Sequence, residues 1–313
     1  MKIKQTIERK ILDLVYKDQT KLTITPQDKP DFLIENDVGN KFGVEITQCY
    51  TNESDARLKN IPNYTSDLLD NKRYRHKKDI KILKVENIII NKVDGREIKT
   101  KAIIQESAKP SEYLEQVKDI INTKTLLKKD YSSDLSHINL IIKDNTDIFS
   151  LIKSEEFYNL FFTEEVIRSV TASDFKEIFL ITNFKRKTEI LRLKLILLSS
   201  RIYLFHEIFK SHKSGDITEE KYYQYLAEFL IYEGFKNIRI KKFKEETEII
   251  YSNIGFLVKK FKDLTFRDYG DYQFNDGEII NTTELNFMTE EIQNTVLEIK
   301  RTFGFSTNIG QHV

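Results

Sequence analysis

The sequence predicts an α/β fold built on a mixed β-sheet flanked by helices, and three observations predict it. Short runs rich in β-branched and apolar residues recur at 31–34, 42–47, 138–142 and 178–181, with the length and composition of strands. Segments with helical patterning lie before and between them, at 3–17, 111–129 and 155–170. Through residue 183 the order is therefore helix, strands, helix, strand, helix, strand, which implies a mixed α/β domain. At 313 residues, 40% hydrophobic and 32% charged, the chain has a globular composition and the length for one large domain or two ordinary ones.

Taken in order, Ile3, Ile7, Ile11, Leu14 and Val15 recur at helical spacing over 3–17. A short strand is expected at 22–25, and Pro26 to Pro30 form a connector. The strands at 31–34 and 42–47 flank residues 36–40, whose composition is that of a turn, so the pair reads as a hairpin. Residues 52–70 read as helical, interrupted at Pro62. A second hairpin is expected at 84–104 with Asp94 and Gly95 in its turn. Ser111 is the expected N-cap of a helix reaching about Lys129. Further on, the pattern permits either a strand at 194–198 or one helix over 191–209. A helix begins at Thr218 to Glu220 and ends near Gly234, residues 237–250 read as a hairpin turning at 244–247, and 288–301 as a closing helix. No internal repeat or Pro/Gly-rich linker divides the chain. The expected organisation is a core over 1–184 and a C-terminal α+β region over 185–313.

Fifty Lys and Arg balance 49 Asp and Glu, for a net charge of +1. This neither requires nor excludes nucleic acid, because a binder needs a basic face rather than a basic total. One dense basic stretch, Lys72, Arg73, Arg75, His76 and Lys77 around Tyr74, combines charge for phosphates with rings for base stacking. A solvated loop has the same composition. The single cysteine, Cys49, excludes an intrachain disulfide and a cysteine-based zinc site and fits a reducing compartment. The histidines lack metal-ligand spacing. No signal-peptide run opens the sequence, and the longest apolar stretch, 195–200, cannot span a bilayer. A cytoplasmic protein with no membrane partner is expected. No glycine-rich phosphate loop occurs, so ATP is not expected either.

The chemistry concentrates between Pro30 and Gln48. Asp31 begins one strand of the first hairpin and Glu45 lies inside the other, so two carboxylates sit on adjacent strands. Side chains alternate along a strand, so Val44 and Ile46 point one way and Glu45 and Thr47 the other. A charge within so apolar a strand is costly unless it is paired or binds a cation. Mg2+ typically takes one or two carboxylates, a backbone carbonyl, water and substrate phosphate; the Ile46 carbonyl is placed to be the backbone ligand. Plainer readings stand beside these: Asp31 as a turn residue after Pro30, and Glu45 as the exposed residue of a half-solvated strand.

Pro30-Asp31 followed by Glu45-Ile46-Thr47 resembles the PD-(D/E)XK phosphodiesterase superfamily, whose Pro-Asp pair starts one strand and whose acidic-x-Lys triplet lies on the next. The resemblance covers roughly the first half of the chain and is sharpest over 30–48. It implies a restriction-endonuclease-like core with a C-terminal α+β extension, and Asp31 and Glu45 as ligands of Mg2+, for which Mn2+ can substitute. It also points to Glu8 on the preceding helix as a further acid, with Asp13 the poorer match. One position departs from the pattern: Thr47 stands where the family has lysine. Some branches supply that lysine from the helix after the sheet. Here that helix carries Lys124 and Lys128, four apart and so on one face, with Lys124 the first choice.

The activity this implies is a metal-dependent endonuclease that hydrolyses phosphodiester bonds, DNA ahead of RNA as substrate, with restriction and antiviral defence among the family's roles. The metal would polarise the phosphoryl oxygen and activate water, and Lys124 would add positive charge near the developing oxyanion. Many family members act as dimers, so a homodimer is open to this chain, as are a further partner subunit and a recognition or dimerisation role for 185–313. The reading from another class is a catalytically inactive module that holds nucleic acid or protein, which Thr47 keeps in view.

Overall fold

A computed structural model of the protein describes residues 3–16, 21–131, 134–150, 152–153, 156–185, 187–212, 218–242, 247–252, 254–259, 263–271, 278–279 and 287–302. Along the chain, α1 (Ile3–Val15) leads into β1 (Thr23–Pro26), β2 (Phe32–Glu35) and β3 (Lys41–Cys49). An insertion follows: α2 (Glu53–Asn60), α3 (Tyr64–Asn71), the short α4 (Asp79–Ile82), and a two-stranded ribbon of β4 (Lys84–Asn91) and β5 (Glu97–Ile104). The chain returns through α5 (Pro110–Leu127) to β6 (Ile138–Asp144), α6 (Phe157–Phe161), α7 (Glu164–Ala172), β7 (Ile178–Phe184) and β8 (Lys187–Arg192). Next come α8 (Leu193–His212) and α9 (Glu219–Tyr232). The strands β9 (Arg239–Lys242), β10 (Thr247–Tyr251), β11 (Ile254–Lys259), β12 (Asp263–Asp268) and β13 (Glu278–Ile279) follow, and then α10 (Glu290–Thr302).

Six strands form one mixed sheet in the order β1-β2-β3-β6-β7-β8. Its central strands β3, β6 and β7 are parallel, and the outer pairs are antiparallel. Helices cover both faces, which is why β6 and β7 read as continuous apolar runs rather than as alternating ones. Along β3 the alternation separates two cores. Phe42, Val44 and Ile46 join Ile11 and Leu12 of α1 on one face. Cys49 turns to the other, toward Val117 and Ile121 of α5 and Val166 and Val170 of α7. A second, five-stranded sheet runs β12-β11-β10-β9-β13. Its Ile249, Tyr251 and Phe256 belong to the same core as Phe205 of α8 and Phe229 of α9. Residue 185 falls in the turn between β7 and β8, which pair in one sheet, and that single core extends from Cys49 to Val296.

Several elements differ in detail from the sequence expectation. The segment expected to be one helix over 155–170 is two, because Thr163 leaves the helix and caps α7, its hydroxyl accepting from the Val166 N–H. Helix α5 begins at Pro110 with Lys109 in the N-cap position, two residues ahead of the expected cap Ser111; proline is suited to the first helical position because its missing N–H would be unpaired there. Residues 194–198 are helical, inside α8. The hairpin expected over 237–250 has its strands in β9 and β10; of the turn expected at 244–247, residues 244–246 lie outside the described residues, as does the expected end of the 3–17 helix at Lys17. Among the described residues no helix is long and apolar enough to cross a membrane.

The insertion has a small core of its own, Tyr64, Leu68 and Leu83, with Val85 and Ile103 at the root of the ribbon packed against it. Asp79 is fully buried beneath it and accepts from Ser54 Oγ at 2.7 Å, Arg57 Nη2 at 2.7 Å and the Tyr64 hydroxyl at 2.5 Å. A buried carboxylate so supplied with donors carries no unmet cost.

Candidate active site

The last ladder pair of the β2–β3 hairpin is Phe32↔Val44. Extending the register by one pair sets Asp31 opposite Glu45. By alternation both side chains then leave the face opposite to Phe32 and Val44. Beyond Val44, β3 runs on without β2 beside it. Asp31 fills that gap: its Oδ2 accepts from the Ile46 N–H at 2.8 Å, in place of a ladder bond. Within an extended strand the N–H and C=O of one residue face the same edge, so the Ile46 carbonyl looks to the side that carries the Asp31 carboxylate. Gly43 makes this approach feasible. A Cβ there would lie 2.5 Å from Pro30 Cγ, so only glycine lets the Pro30 ring, and Asp31 after it, sit against β3.

Around the two acids the charges are arranged in pairs. Lys124, on the last turn of α5, places its Nζ 2.5 Å from Glu45 Oε1. Lys4, one turn before Glu8 on α1, lies 3.2 Å from Glu8 Oε1 and 3.8 Å from Asp31 Oδ1. Burial first, and then the Glu45 charge, raise the Tyr131 hydroxyl above its usual range. Burial first, and then the negative charge of Glu45, push the Asp31 carboxyl up to about 6, against the lowering effect of the Ile46 N–H. Three carboxylates, Glu8, Asp31 and Glu45, thus face two ammonium groups, and the site is short of positive charge.

That shortfall suits a divalent cation. Among the described residues no group of three or more His, Cys, Asp or Glu side chains is arranged to hold a metal ion. Two carboxylates, Asp31 and Glu45, with the Ile46 carbonyl beside them could hold one; Mg2+ commonly takes one or two protein carboxylates.

The sequence candidates divide clearly. Asp31, Glu45, Ile46 and Lys124 come together, and Glu8 is buried beside them, joined through Lys4. Lys128 does not join: it lies past the end of α5 and donates to the Asp174 carbonyl at 2.5 Å. Asp13 pairs with Arg9 at 2.8 Å. Lys72, Arg73, Arg75, His76 and Lys77 are exposed on the insertion, where Arg75 pairs with Asp67. Asp271 lies elsewhere, accepting from Asn139 Nδ2 at 2.6 Å and contacting His137 Nε2 at 2.9 Å, at the start of β6. Cys49 is buried and its thiol is pushed up to about 12, so it is no nucleophile. Two site residues escaped sequence reasoning. Lys4 had a signal, its i,i+4 spacing to Glu8; Tyr131 had none. A groove of about 630 Å3 runs along α5 to Lys124 and is lined by Glu112, Glu115 and Asp119.

The chain matches no protein-family model, no curated protein and no solved structure.

Proposed function

We propose that the protein is a metal-dependent nuclease that hydrolyses phosphodiester bonds of DNA, with a site of the restriction-endonuclease-like kind. The observation that carries this reading is the meeting of Asp31, Glu45 and Lys124 at one place, from β2's entry, β3 and the end of α5. Asp31, Glu45 and the Ile46 carbonyl would hold Mg2+. When bound, it would supply Lewis acidity toward the phosphoryl oxygen and lower the pKa of water.

The chain's own residues do the rest. Lys124 holds an ammonium beside Glu45, where a substrate phosphate would bring its developing charge, and so takes over what Thr47 lacks. Lys124 also fixes the Glu45 carboxylate. Lys4 spans Glu8 and Asp31 and holds those acids close despite their repulsion. Thr47 also favours a second reading, a catalytically silent module that holds nucleic acid.

The test is cleavage of plasmid DNA and of RNA by purified protein, with Mg2+ or Mn2+ against EDTA. Wild type is run beside Asp31→Ala and Glu45→Ala. Metal-dependent cutting that both substitutions abolish supports the proposal. A folded wild type that neither cuts nor binds metal overturns it in favour of the silent module.

A further inference from the structure

The insertion between β3 and α5 carries charge that the rest of the chain does not. Residues 72–105 hold eleven Lys and Arg against four Asp and Glu, a net +7 in a chain whose total is +1, so the remainder sums to −6. One of the four acids, Asp79, is fully buried among its donors and shows no charge to solvent. The basic residues Lys84, Lys92, Arg96, Lys99 and Lys101 lie on the β4–β5 ribbon or its turn, and all five are exposed. Such asymmetry is the electrostatic mark of a polyanion-binding element.

We propose that the β4–β5 ribbon enters the major groove of duplex DNA, while the basic loop 72–78 contacts the neighbouring phosphates. The inference rests on the proposed function only in taking the polymer to be nucleic acid. Eight residues per strand give a ribbon about 27 Å long at ~3.4 Å per residue. Its two strands stand about 4.8 Å apart, and the B-form major groove, about 12 Å wide, admits such a ribbon. The A-form groove of duplex RNA is too narrow for side chains to read. The register sets Asn87, Ile89 and Asn91 opposite Lys101, Lys99 and Glu97 on one face; Lys101 is held at the root, and Asn87, Asn91 and Lys99 are the polar groups that reach the groove. Asparagine amides pair with adenine edges, and lysines with guanine edges. The other face pairs Ile88↔Thr100 and Ile90↔Ile98, contacts that stiffen the two strands.

An isolated hairpin is marginal in water, but this one has a fixed root. Lys101 Nζ donates to the Leu69 carbonyl at 2.8 Å, and Val85 and Ile103 pack on the insertion's core. The insertion is in turn tied to the sheet: Lys59 Nζ donates to the Asn145 carbonyl at 2.5 Å, just past β6. Asn60 Nδ2 donates to the Tyr50 hydroxyl, which donates to Gln48 Oε1, each at 2.7 Å. The ribbon is therefore held relative to β3, the strand that carries Glu45.

The test is binding by the full chain, as wild type in EDTA and as Asp31→Asn, to a DNA duplex, the same sequence as RNA duplex, and single-stranded DNA over a range of salt. The expected result is preference for duplex DNA. The triple variant Lys92→Ala, Arg96→Ala, Lys99→Ala should bind it at least tenfold more weakly, with the log–log salt slope reduced by about 2–3, at ~0.9 per lost phosphate contact. Asn87→Ala with Asn91→Ala should leave the slope alone and flatten the preference among duplex sequences. All these positions are exposed, and an unchanged thermal melt checks the fold. A triple variant that binds like wild type, or tighter binding to duplex RNA, would overturn the inference. Cleavage that persists unaltered in the ribbon variants sinks this inference and leaves the nuclease. Ribbon-dependent DNA binding without cleavage in Mg2+ or Mn2+ sinks the nuclease and leaves the inference.

Discussion

Asp31→Asn should make the metal-free protein more stable and, in the same stroke, deaf to Mg2+. The Asp31 carboxyl lies at about 6 against an ordinary 3.8, chiefly through burial and then through Glu45. At ~1.36 kcal/mol per pH unit, holding it ionised at pH 7.5 costs about 3 kcal/mol. Lys4 beside it is 77% exposed, and water at this edge of the sheet screens part of the interaction, which leaves about 1–2 kcal/mol. Asparagine keeps an oxygen for the Ile46 N–H and removes the charge. The gain should appear as a rise in Tm of about 2–5 °C for a domain of this size. The sign with pH follows from the direction of the shift. The folded carboxyl keeps its proton up to about pH 6 while the unfolded one loses it near 3.8, so wild-type stability falls as pH rises through that window. The variant's advantage is therefore full above pH 7 and gone near pH 4.

The assay is thermal and urea unfolding of both proteins in EDTA at pH 7.5 and near pH 4, repeated at pH 7.5 with Mg2+. A ligand at tenfold its Kd stabilises by about 1.4 kcal/mol, and this increment should belong to wild type alone. Three results would refute the reasoning: a variant less stable than wild type at pH 7.5, a difference that does not depend on pH, or equal stabilisation of both by Mg2+. Each would mean that Asp31 is not a destabilised carboxylate held in reserve for a cation.

Three further outcomes are expected. Lys124→Met should lower turnover by about 10²–10³-fold in a plasmid-cleavage assay, whereas Lys128→Met, whose lysine serves the Asp174 carbonyl, should cut at the wild-type rate. Gly43→Ala should cost about 1–3 kcal/mol of overpacking in urea denaturation and lower activity too, because the new methyl displaces Pro30 and with it Asp31. Burial lowers the Lys194 ammonium from 10.5 to about 8. The unfolded chain therefore binds more protons between those values, and wild-type stability should gain with pH from about 8 to 9.5, a slope that Lys194→Met removes in urea titrations.

The parts of the fold that could be read directly were those that local periodicity encodes. The ribbon at 84–104 and the strands around Asp31 and Glu45 occupy the expected residues, because alternation and turn composition are properties of neighbours in sequence. The strand-or-helix ambiguity at 194–198 has a physical cause. Lys194 and Arg201 are buried in α8, where Lys194 Nζ donates to the carbonyls of Ser173 and Phe175 and Arg201 pairs with Glu233 at 2.8 Å. Charges on the inward face blur the polar stripe by which an amphipathic helix is recognised.

The site poses a harder question, because its two halves are 79 residues apart in sequence. Helical periodicity puts Lys124 and Lys128 on one face, with Lys124 the first choice although periodicity alone treats the two alike. The choice is made by position along the helix axis. The Lys128 N–H still bonds the Lys124 carbonyl, so Lys128 stands on the same side of α5, about 6 Å further along at ~1.5 Å per residue. That step carries it past the second acid: Lys124 meets Glu45, while Lys128 reaches the Asp174 carbonyl in the loop that precedes β7. Two lysines that are equivalent in periodicity thus divide between a carboxylate and a backbone carbonyl, because which of them meets Glu45 depends on where α5 lies against β3, and that is fixed by packing between residues far apart in sequence.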